Sequence, residues 1–209
     1  MEKIVKHKII IDYLKELFPD ARCELNYKSD VDLLVAIVLS AQATDKSVNK
    51  ISVDLFKKYK TWEDYNNVDI KELEQDIKSI GLYRNKAKSI KGIAKYMIDN
   101  NINVLPADEK FLESLPGVGR KTSNVFLSEW YKIPKIAVDT HVTRTSKRLR
   151  LANVKDDVLT IEKKLMKFFN KDEYIDIHHR LIHFGRYICL ARNPKCEGCK
   201  FKDFCKKDV

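Results

Sequence analysis

The sequence predicts an all-α protein, on three observations. Six glycines and five prolines in 209 residues are too few to punctuate a strand-rich chain. Alternating β-branched residues are scarce, and segments with apolar residues at helical spacing follow one another between capping residues.

Taken in order, an opening helix is expected over residues 9–18. Residues 30–42 come next, with Asp30 placed to cap a run from Val31 to Ala41 that is apolar on nearly every face. Such a run is a helix buried on all sides. Periodicity alone also permits a buried strand, and the length and helical neighbours favour the helix. Short amphipathic helices are expected over 44–59, 69–80 (closed by Gly81), 85–100, 107–114 and 119–131. Beyond Pro134, three more are read over 140–151, 155–169 and 172–188. No internal repeat or low-complexity linker interrupts them. Pro134 marks the expected boundary between a middle bundle, 23–133, and a second domain built from 1–22 together with 134–209.

A chain of this length buries a full core without staples, which excludes a disulfide mini-protein. With 33% charged and 44% hydrophobic residues it is a folded chain rather than a disordered one. It has no uncharged apolar run of about 18 residues that could cross a bilayer, and its start, Met-Glu-Lys-Ile-Val-Lys-His-Lys, is no signal peptide. A cytoplasmic protein is therefore expected. The net charge of +10 suggests a polyanionic partner such as nucleic acid. Residues 134–209 hold 18 basic and 10 acidic residues against 22 and 20 in the first 133, so most of the surplus is C-terminal. Four of the five cysteines, Cys189, Cys196, Cys199 and Cys205, fall in the same region, while Cys23 stands apart as a buried or bystander thiol.

Leu115-Pro116-Gly117-Val118-Gly119-Arg120-Lys121 joins two of the expected helices. Two glycines around one apolar residue permit a sharp turn and a close approach, with the amides of the next helix N-terminus facing an anion such as a DNA phosphate. Val118 would then anchor the turn while Gly117 and Gly119 hold the phosphate without reading sequence. A tight helix-to-helix turn with no ligand satisfies the same residues. Eighteen positions after Lys121, Asp139 precedes the helix beginning at Thr140 and would serve equally as its cap.

Leu115-Pro116-Gly117-Val118-Gly119-Arg120-Lys121-Thr122, followed by Ala137-Val138-Asp139-Thr140-His141, resembles the helix-hairpin-helix signature of the DNA glycosylases, specifically their endonuclease III branch. Ser40-Ala41-Gln42-Ala43-Thr44-Asp45, Ile80-Gly81-Leu82-Tyr83 and the final cysteine spacing match the same branch, so the likeness extends over nearly the whole chain. The resemblance implies two helical domains with a DNA-binding cleft between them and a C-terminal iron-sulfur loop. It implies a bifunctional enzyme of base excision repair that releases oxidised pyrimidines from damaged double-stranded DNA and nicks the abasic site, acting as a monomer and associated with the nucleoid in a bacterial or archaeal cell.

On that resemblance Lys121 is the nucleophile and Asp139 the carboxylate that supports glycosidic bond cleavage. A lysine attacks only as the free amine, whereas an unperturbed one, with a pKa of about 10.4, is protonated near neutrality. The helix N-terminus, the neighbouring Arg120 and partial burial are three causes that would lower it. Adenine glycosylases carry another residue at the Lys121 position and usually a further C-terminal domain, so Lys121 favours the bifunctional branch. Gln42 and Leu82 are the candidates to fill the stack left by an extruded base. Arg120, His141, Arg186, Arg192 and Lys195 are candidate DNA contacts, and Glu113 and Asp45 match family positions near the pocket.

The cysteines read Cys189-x6-Cys196-x2-Cys199-x5-Cys205. Clustered cysteines in a cytosolic chain point to metal rather than disulfides. Zinc and an iron-sulfur cube both take four thiolates. Zinc ribbons generally use two Cys-x2-Cys knuckles and one is present here; the full spacing matches the [4Fe-4S] motif of the endonuclease III family. Such a loop would present Arg192, Lys195, Lys200 and Lys202 to DNA phosphates with little ordering cost. His178, His179 and His183 share one helix, where packing or phosphate contact is favoured over a second metal site because no carboxylate completes one.

Overall fold

The computed structural model describes residues 2–207. They contain eleven α-helices, one 3-10 turn and no strand. The chain divides into two compact units, Glu24–Tyr131 and Met1–Cys23 with Lys132–Val209.

The first unit is built around α2, Asp30–Ser40, which buries every residue from Asp30 to Leu39. Its cap is Ser29 rather than the expected Asp30: the Ser29 hydroxyl accepts from the Asp32 amide. Asp30 is instead buried, accepting from the amides of Val31 and Leu105, each at 3.0 Å. A hydroxyl one residue earlier frees the carboxylate to satisfy a remote amide, something a linear sequence does not display. Around α2 pack α3 (Asp45–Lys58), α6 (Tyr83–Asp99) and α8 (Arg120–Trp130). Leu33, Leu34 and Leu39 have no exposed surface, and each such side chain contributes about 1.5–3 kcal/mol relative to exposure.

Helix α4, Trp62–Asn67, has no counterpart among the expected helices. Its six residues are nucleated by a capping box: the Thr61 hydroxyl accepts from the Asp64 amide while Asp64 accepts from the Thr61 amide. The signal in the sequence is Thr61-x-x-Asp64, with the buried Trp62 inside it and the buried Tyr65 directly after it. Helix α5 (Ile70–Asp76) stops four residues short of the expected end and packs, with α4, on α6; α7 (Glu109–Ser114) packs on α8.

In the second unit, α1 runs over Lys3–Leu17, six residues longer at its start than expected, and packs on α11, Tyr174–Tyr187. Helix α9, Thr140–Arg148, lies between α11 and α10, Val158–Phe168. Residues 155–157 are not helical because Asp157, not Lys155, supplies the cap for α10. Ile10, Leu14, Val142, Ile161, Ile177, Leu181 and Phe201 form a fully buried core here, and Phe201 ties the cysteine loop into it through edge contacts with Tyr13 and Phe184.

Candidate active site and nucleic-acid interface

Between α7 and α8 the hairpin is seated by Leu115 and Val118, both buried, with the Val118 amide donating to the Leu115 carbonyl at 3.1 Å. The two glycines have different causes. Gly117 has φ +77°, and a Cβ there would fall 2.4 Å from Ser89 Oγ on α6, so the fold itself demands glycine. Gly119 has an ordinary extended conformation, and an added Cβ would meet nothing within 4 Å. No protein neighbour requires glycine there. As the residue preceding α8 it also has no side chain to cap the helix, whereas Ser29, Thr44, Asp108 and Asp139 cap theirs. The α8 N-terminus thus combines open space, a partial positive charge and no resident acceptor side chain.

Arg120 reaches back across the hairpin to Glu109 at 2.6 Å and Glu113 at 3.8 Å. Lys121, one residue further into α8, is exposed. The Lys121 side chain is thus not buried, and the neighbouring Arg120 cation is paired with two carboxylates.

Asp139 belongs to the second unit. It follows Ile136, Ala137 and Val138, all buried, and caps α9 by accepting from the Val142 amide through Oδ1 at 2.7 Å. Its carboxylate is thus held in one geometry by both the core and the helix. Beside it His141 contacts Arg144, with Nδ1 3.3 Å from Nη2. Burial is the main cause lowering the His141 pKa below the usual histidine value, with Asp139 opposing and Arg144 and Arg186 reinforcing. Helix α11 approaches closely at Gly185, where a Cβ would lie 2.9 Å from His141 Cβ. Asp139, His141 and Arg186 are thus brought into one neighbourhood, while Arg192 and Lys195 are exposed on the cysteine loop. Lys200, in contrast, turns to α1 and pairs with Glu16 at 2.5 Å.

Gln42 and Leu82, both in the first unit, share an unexpected feature. Each is exposed and each lies in the left-handed region, with φ of 55° and 59°. Leu82 immediately precedes α6 and borders a shallow hollow with Tyr83, Arg84 and Asn85. Lys86 was not anticipated. It is buried on the apolar face of α6, where burial lowers its pKa, and it donates to main-chain carbonyls of Leu39 and Ala41. A lysine four residues before Ile90, on an otherwise apolar stripe, was the signal.

Cys189 is buried and Cys196, Cys199 and Cys205 are half-buried, none of them in a disulfide. The loop brings all four into one another's electrostatic field: burial first, then charge on the other thiols, raises the pKa values of Cys199 and Cys205. Among the described residues no three potential ligands close on a single-ion site. Four free, buried or half-buried thiols gathered in one loop fit an iron-sulfur cluster, which takes four cysteine thiolates and whose iron ions would supply their countercharge. Arg148, buried on α9, fixes the first ligand by donating to Cys189 Sγ at 3.3 Å and to the Leu190 carbonyl at 2.6 Å. His178 and His179 are buried in α11, and His183 Nδ1 lies 2.9 Å from the His179 carbonyl.

Residues 35–171 match the family model described as HhH-GPD superfamily base excision DNA repair protein, and residues 189–205 match the iron-sulfur binding domain of endonuclease III. The chain is 49% identical to endonuclease III of Bacillus subtilis (strain 168), covering 94% of this chain and 90% of that one. It is 41% identical to endonuclease III of Escherichia coli (strain K12), covering 94% and 93%. Among solved structures it resembles a trapped endonuclease III-DNA covalent intermediate, with a TM-score of 0.95, 48% identity and coverage of 99% of this chain and 97% of that chain. A thermostable thymine-DNA glycosylase shares the fold, with a TM-score of 0.86 at 24% identity over 97% and 96% of the two chains.

Proposed function

Because the chain belongs to the HhH-GPD superfamily of base excision DNA repair proteins, in its endonuclease III branch, and is a DNA glycosylase with abasic-site lyase activity, we propose that Lys121 and Asp139 carry the chemistry and that the 115–119 hairpin holds the damaged strand. The observation that carries this reading is the placement of an exposed Lys121 in the first turn of a helix whose N-terminus has open space and no capping side chain.

The substrate class is oxidised pyrimidines in duplex DNA. The Gly117–Gly119 turn and the α8 amides hold one phosphate, and Arg120, His141, Arg186, Arg192 and Lys195 add contacts along the strand. When duplex covers Lys121, water is removed from its amine, and desolvation favours the neutral nucleophile. The Lys121 Nζ lone pair forms a bond to C1′ as the bond from C1′ to the base breaks, and the base departs with that electron pair and takes up a proton. The capping carboxylate of Asp139 stabilises the positive charge developing on the sugar. After ring opening the adduct is an imine, which acidifies C2′. Loss of a C2′ proton expels the 3′ phosphate, and hydrolysis of the imine returns Lys121. The iron-sulfur cluster, bound by Cys189, Cys196, Cys199 and Cys205, supplies a rigid fold for the loop bearing Arg192 and Lys195.

Asp139→Asn separates the carboxylate's two roles. Asparagine caps a helix as well as aspartate does, so the melting temperature should stay within a degree or two. Base release should fall by about 10²–10⁴-fold, while borohydride trapping on a preformed abasic site persists. Base release near the wild-type rate would reduce Asp139 to a cap.

The glycines predict a second contrast. Gly117→Ala should destabilise the protein by about 1–3 kcal/mol, because its conformation and Ser89 both oppose a side chain. Gly119→Ala should leave stability nearly unchanged yet weaken duplex binding by about tenfold, the loss of one charge-assisted phosphate contact. Thermal unfolding and fluorescence anisotropy read the two effects separately; unchanged DNA binding in Gly119→Ala would remove the phosphate from the hairpin.

No helix among the described residues is long and apolar enough to cross a membrane. The protein is proposed to act on DNA as a monomer.

A further inference from the structure

Lys86 lies among Ala87, Ile90, Ile93, Ala94 and Met97 on the buried face of α6 and is itself only 5% exposed. A buried ammonium is costly unless its donors are satisfied. Its Nζ donates to the Leu39 carbonyl at 2.8 Å and to the Ala41 carbonyl at 2.6 Å. These carbonyls belong to the C-terminal end of α2, where helical partners run out and the helix dipole favours a cation. Ala41 is bonded directly to Gln42. The Lys86 main-chain amide donates to the Leu82 carbonyl at 3.1 Å. Lys86 is therefore joined by its side chain to the turn bearing Gln42 and by its main chain to the turn bearing Leu82.

Both turns are in a conformation that favours glycine, since in the left-handed region Cβ crowds the following carbonyl. A chain that needed only to turn at these points would gain from glycine at either. It carries instead a long amide and a leucine that is 56% exposed, side chains with no burial to offset the strain. Such conformations persist only where the surroundings over-determine them. For Gln42 the constraint is a charged group fixed in the core, and for Leu82 it is the first hydrogen bond of α6.

We infer that Lys86 is a positioning residue that ties the Gln42 turn to the Leu82 turn, so that the two side chains enter a base stack as one preformed device. The inference rests on the reading of Gln42 and Leu82 as the residues that fill the stack. Extruding a base opens a gap that must be filled while the helix is distorted. Fillers held in place beforehand lose little freedom on insertion, so ordering them in the free protein speeds the step. Lys86 does this from the core and makes no contact with the reacting sugar.

The test uses the full, cluster-containing protein and two duplexes. One carries an oxidised pyrimidine opposite a normal base, the other carries it in an unpaired bulge, where little extrusion work remains. Single-turnover base release is compared for the wild type, Lys86→Met, the double variant Gln42→Ala/Leu82→Ala and the triple combination. Lys86→Met should slow release about tenfold on the paired duplex and less than about threefold on the bulge. Added to the double variant it should cost no more than about a further twofold, because nothing is left to position. Equal slowing on both duplexes, full additivity, or a wild-type rate for Lys86→Met each overturns the inference. A double variant with the wild-type rate on the paired duplex rejects the stack-filling reading itself, which distinguishes that failure from failure of Lys86 alone. Should Lys86→Met not fold, Lys86→Gln, whose amide is uncharged and ends one atom short of the Lys86 Nζ that reaches the Leu39 and Ala41 carbonyls, replaces it in every comparison, and the same rate differences support or overturn the inference.

Discussion

Lys121→Gln is expected to abolish the covalent enzyme-DNA adduct trapped by borohydride and to lower base release and strand nicking by about 10⁴-fold or more. Glutamine keeps the side chain's length and polarity but has no basic nitrogen lone pair, so no bond to C1′ forms. The position is exposed, in the first turn of α8 and outside the core, so stability should change by no more than about 0.5 kcal/mol. Duplex binding should persist, because the hairpin amides and the other basic residues remain. The combination is diagnostic: intact fold, intact binding, no adduct. An adduct of undiminished yield would place the nucleophile elsewhere and end the assignment of Lys121.

Cys205→Ser should have the second largest effect, on stability rather than chemistry. Wild-type protein should be brown; the variant should lose iron, sulfide and the associated visible absorption. Binding of a cluster is folding energy for the segment that holds it, and this segment carries part of the core. Phe201, four residues before Cys205, is fully buried with its ring 4.9 Å from that of Tyr13 on α1 and 5.3 Å from that of Phe184 on α11. Releasing the loop frees Phe201 and should cost on the order of 4 kcal/mol, seen as a fall in melting temperature of about 10 °C. Affinity for duplex should fall with the loss of a fixed Arg192 and Lys195, while adduct formation at saturating protein survives, because no cluster atom enters the bond-making steps. A colourless wild-type protein, or a variant with wild-type absorption and melting temperature, would contradict this.

The legibility of the chain varied with the range of the interactions involved. The α2 run is unmistakable because ten consecutive buried positions leave no polar face, and the hairpin shows itself through two glycines around Val118. Helix boundaries were less accurate where two capping residues compete. Ser29 and Asp30 are adjacent candidates, and Ser29 capped α2 because the Leu105 amide, 75 positions away, engaged the Asp30 carboxylate. Helix α4 escaped because six residues show less than two turns of periodicity; its capping box was the stronger sign. The resemblance to the endonuclease III branch singled out Lys121, Asp139 and the four cysteines, but not the pairing of Arg120 with Glu109 or of Lys200 with Glu16, since ion pairs depend on which helices become neighbours.

By itself the sequence determined the helical class and the C-terminal location of the surplus charge, because these are encoded in composition and helical spacing, and its motifs carried the resemblance that implied the family and its cluster. Tertiary structure alone decided what each of the two hairpin glycines is for: Gly117 is demanded by Ser89 across a close contact, while Gly119 faces open space. It alone showed that Gln42 and Leu82 lie in a glycine-like conformation and that Lys86 is bonded to both turns. The physical reason is common to these cases. A residue's type fixes which bonds it can make, whereas burial, backbone strain and the partner that completes a bond are properties of groups from distant parts of the chain once folding has brought them within a few ångströms.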